Sequence, residues 1–172
     1  MTIRYDELQT GGALAFQAYA DQRKRASEIM NSVAKALITE RGFPEENVGF
    51  VQTEQAGEEE RGRRFAEQAI QRDEKGRWNT CLRVRVDADQ SGGDHLITYL
   101  FLEVHFTSSE AQLELLEDGG GSSVSVSLQP GGRDAQFESL VDRATAMVAE
   151  TNDWLRTGVG KKRSIGFGPN AG

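Results

Sequence analysis

An α+β fold is predicted, a four-stranded antiparallel meander with two long amphipathic helices, N- and C-terminal, packed on one face, and residues 47–53 as a candidate fifth edge strand. Two observations predict it. Between residues 78 and 129 apolar and polar side chains alternate with a period of two, and on either side of that stretch apolar residues recur at three and four. Antiparallel sheets covered on one face by helices show this combination.

The first helix is expected over residues 14–41, which contain no Gly or Pro and are rich in Ala, Glu, Lys, Arg and Gln. Tyr19, Ala26, Met30, Val33 and Leu37 form one stripe along it, and Gly42 and Pro44 end it. Gly11 and Gly12 are read as a boundary before it. The second helix follows Pro130-Gly131-Gly132, with Phe137, Leu140, Val141, Ala144, Met147, Val148, Thr151, Trp154 and Leu155 on its apolar face and Gly158 as its end.

The first strand of the meander places Trp78, Thr80, Leu82, Val84 and Val86 on one side. A turn cluster at residues 89–94 leads to the longest strand, residues 95–107, with Leu96, Leu100, Leu102, Val104 and Phe106 facing the same way. Residues 108–118 are ambiguous, since Ala, Leu and Glu favour helix. The alternation of Ala111, Leu113 and Leu115 with Gln112 and Glu114 decides for a strand. The glycines at 119–121 then serve a hairpin leading to the strand of Val124, Val126 and Leu128. No Lys-Ser/Thr follows them, so they do not read as a phosphate cradle. Residues 54–77 are charge-dense, with Phe65 and Ile70 as their only large apolar members, and are expected to be a solvated helix or loop. The organisation is one α+β domain over residues 1–159 and a flexible, basic, Gly-rich tail over 160–172.

Bulk composition narrows the function classes. The chain has 172 residues, 37% of them hydrophobic and 27% charged, with a formal net charge of −7, the profile of a folded acidic globule. That charge speaks against nucleic acid, whose nonspecific binding rests on clustered Lys and Arg. A single cysteine, Cys81, rules out an internal disulfide and a cysteine-type zinc site, which fits a reducing, cytoplasmic setting. No apolar stretch suits a signal peptide or a membrane span. No cofactor and no metal are expected.

With the hairpins closed at their shortest turns, Val86 lies opposite Leu96, Val104 opposite Leu113 and Leu115 opposite Val126, so the aliphatic residues share the helix side. The second face then carries an apolar strip. Arg83 lies across from Tyr99, Cys81 from Phe101 and Phe101 from Leu116, with Ile97 nearby. Arg83, Ile97, Tyr99, Phe101 and Leu116 are therefore the candidate partner-binding residues, since a contiguous apolar patch marks an interface. The competing expectation is that residues 54–77 or the N-terminus fold over this face. Beside the strip, Glu103 opposes Glu114, with His105 and Arg85 near, a candidate polar site whose close carboxylates would shift one another's pKa values. A tail motif, Lys161, Lys162 and Arg163 followed by Ile165 and Phe167, combines steering charge with two apolar anchors.

These readings favour a non-catalytic protein-binding module, an adaptor or chaperone-like protein that forms a homodimer or docks a partner through the open sheet face. Two alternatives stand beside it: a small enzyme or metal-dependent protein using Glu103, Glu114 and His105, and nucleic-acid binding through Arg83, Arg85 and the basic tail. In architecture alone the chain is similar to bacterial secretion chaperones and dimeric adaptors. That likeness of shape assigns no residue a role.

Overall fold

A computed structural model describes residues 4–57, 62–87, 95–108, 110–117, 124–128, 135–157 and 165–167. Helix α1 runs Tyr5–Arg41, followed by strand β1 (Val48–Val51), the short strand β2 (Gln71–Arg72), β3 (Trp78–Asp87), β4 (His95–Phe106), β5 (Ala111–Leu116), β6 (Val124–Leu128), helix α2 (Ala135–Thr157) and β7 (Ile165–Phe167). The strands form one antiparallel sheet in the order β1-β3-β4-β5-β6, with β2 added to β3 and β7 added to β4. The predicted meander is therefore β3 to β6, and the edge strand expected at 47–53 is β1.

The ambiguous stretch is a strand. Ala111–Leu116 pairs with β4, placing Leu113 opposite Val104, Glu114 opposite Glu103 and Leu116 opposite Phe101, and its burial alternates residue by residue. The β3–β4 register is also as expected, with Val86 opposite Leu96, Arg83 opposite Tyr99 and Cys81 opposite Phe101. One pairing differs: Leu115 faces Val124, and Val126 faces Leu113. The register of β6 against β5 is shifted by two residues from the expected one, and a shift of two preserves the alternation of the pairing.

The main core lies between the helices and one side of the sheet. Leu82, Val84, Leu100, Leu102, Val104, Leu113 and Leu115 meet Met30, Val33 and Leu37 of α1 and Phe137, Leu140 and Val141 of α2. Trp78 anchors one end of it, fully buried, with its ring 5.0 Å from that of Tyr19. Trp154 is half-buried, and the side chain of Leu155 lies outside the described residues. Gly42 closes α1 with φ 74, a left-handed position that suits glycine, and sends its N–H to the Leu37 carbonyl. Arg143 of α2 ties that helix to the sheet, its guanidinium 2.6 Å from Glu117 and 2.6 Å from Glu150.

The charged middle stretch is more ordered than its composition implied. Gly62 lies against Gly49, Arg63 exchanges two 2.7 Å backbone hydrogen bonds with Phe50, and Ala66, Ala69 and Ile70 are buried with the α1 core. Asn31 of α1 holds this stretch in place, accepting the Ala66 N–H at 2.9 Å while its amide donates to Glu67. Small alanines supply the docking surface that a search for large side chains overlooks. Residues 58–61 lie outside the described residues, as do the turn cluster at 89–94, the hairpin glycines at 119–121 and Gly158.

Helix α1 starts nine residues before the expected position. Gly11 and Gly12 each cost about 1 kcal/mol relative to alanine in a helix interior, yet the helix passes through both. Its first turn carries Asp6 and Glu7, which suit the positive end of the helix, and the Glu7 carboxylate accepts the Arg4 N–H at 3.1 Å.

Candidate functional site

The second face of the sheet gathers Arg83, Ile97, Tyr99, Phe101 and Leu116 as their register requires, but most of this strip is covered from within the chain. Val51, Cys81, Ile97 and Tyr99 form a small second core, against which Ala56 and Phe101 pack. The cover is the segment after β1. Thr53 donates to Asn79 at 3.1 Å, Ala56 packs against the cluster, and the Gly57 backbone N–H lies on the Tyr99 side, where it favours the ionised phenol. Gly57 turns there with φ 94, a conformation open to glycine. Tyr99 is only 5% exposed and Arg83 only 4%. Phe101 and Leu116 remain half-buried and line a shallow recess of about 250 Å³ with Thr53 and Glu117.

Arg83 is a buried guanidinium whose Nε has no hydrogen-bond partner among the described residues. Burial pushes its pKa down, and the Tyr99 hydroxyl beside it opposes that. Burial likewise pushes the Tyr99 phenol up. Arg85 is committed to Asp87, 2.6 Å away. Lys161, Lys162 and Arg163 lie outside the described residues, whereas Ile165–Phe167, expected within a flexible tail, pairs as β7 with Leu96, Ile97 and Thr98. β4 is long enough to offer that free edge beyond the end of β5.

The polar site is assembled differently from the expectation. Glu103 does lie opposite Glu114, but its nearest cation is Arg77, 2.9 Å away, which also holds Asp73 at 2.8 Å. Burial raises the Glu103 pKa, the Arg77 charge lowers it, and Glu114 raises it further, with a net upward shift. Asp73 moves the other way, held down chiefly by the Arg77 backbone N–H. His105 is exposed. Among the described residues no group of three or more His, Cys, Asp or Glu is placed to hold a metal ion. What this cluster does chemically is tie the loop at residues 73–77 to the second face of the sheet. No described helix is long and apolar enough to cross a membrane.

The surface that sequence reasoning missed is the N-terminal half of α1. Every residue from 4 to 21 is exposed, so this part of the helix, about 24 Å long, projects as an arm past the body. Large apolar side chains lie bare on it: Tyr5 at 78%, Leu8 at 60%, Phe16 at 80% and Tyr19 at 42% exposed. At 100° per residue Tyr5, Leu8, Gly12, Phe16 and Tyr19 fall within an arc of roughly 80°. The arc is the same one that carries Ala26, Met30, Val33 and Leu37 into the core. Leu14, also exposed, sits on the opposite side of the arm. The signal was present in the spacing, but the two glycines broke the reading of it. At the root of the arm Arg72 stands over the rings of both Tyr19 and Trp78. No family model, curated protein or solved structure matches this chain.

Proposed function

We propose that this protein is a non-catalytic protein-binding module that assembles through the α1 arm. The observation that carries this reading is the continuity of one apolar helical face, which packs on the sheet from Ala26 onward, leans on Trp78 through Tyr19, and runs bare from Tyr5 to Phe16. A contiguous exposed stripe of this kind marks an interaction surface. Helix in isolation is also marginal at this length, the more so with two adjacent glycines, and its stability in proteins comes mainly from packing of the apolar face. A partner on the stripe supplies that packing. The half-buried remnant of the sheet strip, Phe101 and Leu116, is a smaller candidate surface.

Light scattering over a concentration series distinguishes the two surfaces. Wild-type protein is expected to associate, and Leu8→Glu combined with Phe16→Glu is expected to remain a monomer whose core still unfolds cooperatively, because neither side chain belongs to the core. Phe101→Asp keeps the association. Association lost in Phe101→Asp alone assigns the interface to the sheet. Wild-type protein that stays monomeric at its highest soluble concentration overturns the assembly reading.

A further inference from the structure

We infer that the partner of the α1 arm is a second copy of this chain, the two arms lying antiparallel across a two-fold axis at Gly12. The inference rests on the arm being the docking element and adds who occupies it and in which direction. Its basis is the spacing of the stripe: Tyr5, Leu8, Gly12, Phe16 and Tyr19 are separated by three, four, four and three residues. That order reads the same in both directions about Gly12. In an isologous contact a residue i that meets j also has its j met by i. An antiparallel arm therefore brings Tyr5 level with the partner's Tyr19, Leu8 level with the partner's Phe16, and Gly12 against the partner's Gly12. The glycine at the centre lets the two backbones approach closely while large side chains close the contact on both flanks.

The fold sets the direction. The face that is bare on the arm is filled from Ala26 onward by the chain's own sheet. A parallel partner would continue alongside α1 into the space that β3 and β4 already occupy. An antiparallel partner runs off past Tyr5 into open solvent, leaving the two bodies at opposite ends. It also sets the two helix dipoles in opposition. The four large side chains expose roughly 600 Å² per chain, taking about 150–250 Å² for each aromatic, against about 800 Å² per partner in a standard stable interface. The dimer is thus of modest size, at the low end of stable interfaces.

Cysteine cross-linking with a short bismaleimide tests the arrangement, with wild type as control because its lone thiol, Cys81, is buried. Gly12→Cys is expected to cross-link to a dimer, and Gln17→Cys, on the far side of the arm, is not. Leu8→Cys and Phe16→Cys each stay uncrosslinked alone but yield a mixed dimer when combined. Leu8→Cys cross-linking to itself would show parallel arms and overturn the inference. So would an associating wild type in which none of these pairs reacts, which leaves the reading of the protein as an assembling module intact. A wild type that does not associate removes both. Leu8→Glu with Phe16→Glu is expected to weaken association at least about 100-fold.

Discussion

Trp78→Ala is expected to cost about 3–5 kcal/mol of stability, the range for truncating a large, fully buried aromatic, and to lower the melting temperature by roughly 6–20 °C in a chain of this size. The side chain is completely buried at the start of β3, where its backbone pairs with both Val104 and Arg72. Its ring also supports Tyr19 and lies beneath the Arg72 guanidinium. Removing it empties the end of the core and releases the root of the arm. Trp78→Phe should cost less than Trp78→Ala, because it keeps a ring and removes an indole N–H that has no hydrogen-bond partner among the described residues. Equilibrium unfolding in urea measures both. A Trp78→Ala loss under about 1 kcal/mol would mean that the site relaxes freely and that Tyr19 does not depend on it.

Gly49→Ala is expected to destabilise by about 3 kcal/mol, although it adds a single methyl group. A Cβ at Gly49 would lie 2.8 Å from the Gly62 Cα and 2.9 Å from its carbonyl carbon. Both are backbone atoms, so no rotamer change relieves the contact. Gly62→Ala meets the same obstacle from the other side, at 2.7 Å from Gly49. The strain falls on the two Phe50–Arg63 hydrogen bonds that close this edge of the sheet. Because the two substitutions break one contact, the double variant should cost less than the sum of the single ones. Urea unfolding of the three variants checks this, and a neutral Gly49→Ala contradicts the close approach.

Much of the sheet was legible because period-two alternation fixes both face and register. Val86 opposite Leu96 and Glu103 opposite Glu114 follow from the shortest turns alone. The strand at Ala111–Leu116 was decided by alternation against a propensity for helix, and the tertiary pairing agrees with the alternation. The cover over Tyr99 was less legible. It depends on Gly57 and Thr53, small polar contacts without periodicity, and on a chain reversal that composition does not encode. Arg77 was likewise passed over as the partner of Glu103, since it lies outside the strand whose register was being read. The arm was lost to a local rule. Gly11-Gly12 is a sound helix boundary on propensity alone, and the heptad-like spacing that spans it, from Tyr5 through Leu37, outweighs that rule only when the whole helix is taken together. β7 was hidden because three residues among glycines carry too little pattern to be read as a strand.

Hydrogen exchange across residues 5–20 at low and high protein concentration tests the docking role of the arm most directly. Protection of the arm amides is expected to rise with concentration, while that of β3 and β4 stays constant, because a docked partner would add packing against the bare stripe to the arm's own helical hydrogen bonds. Arm amides that exchange at the rate of an unfolded chain at every concentration would contradict it.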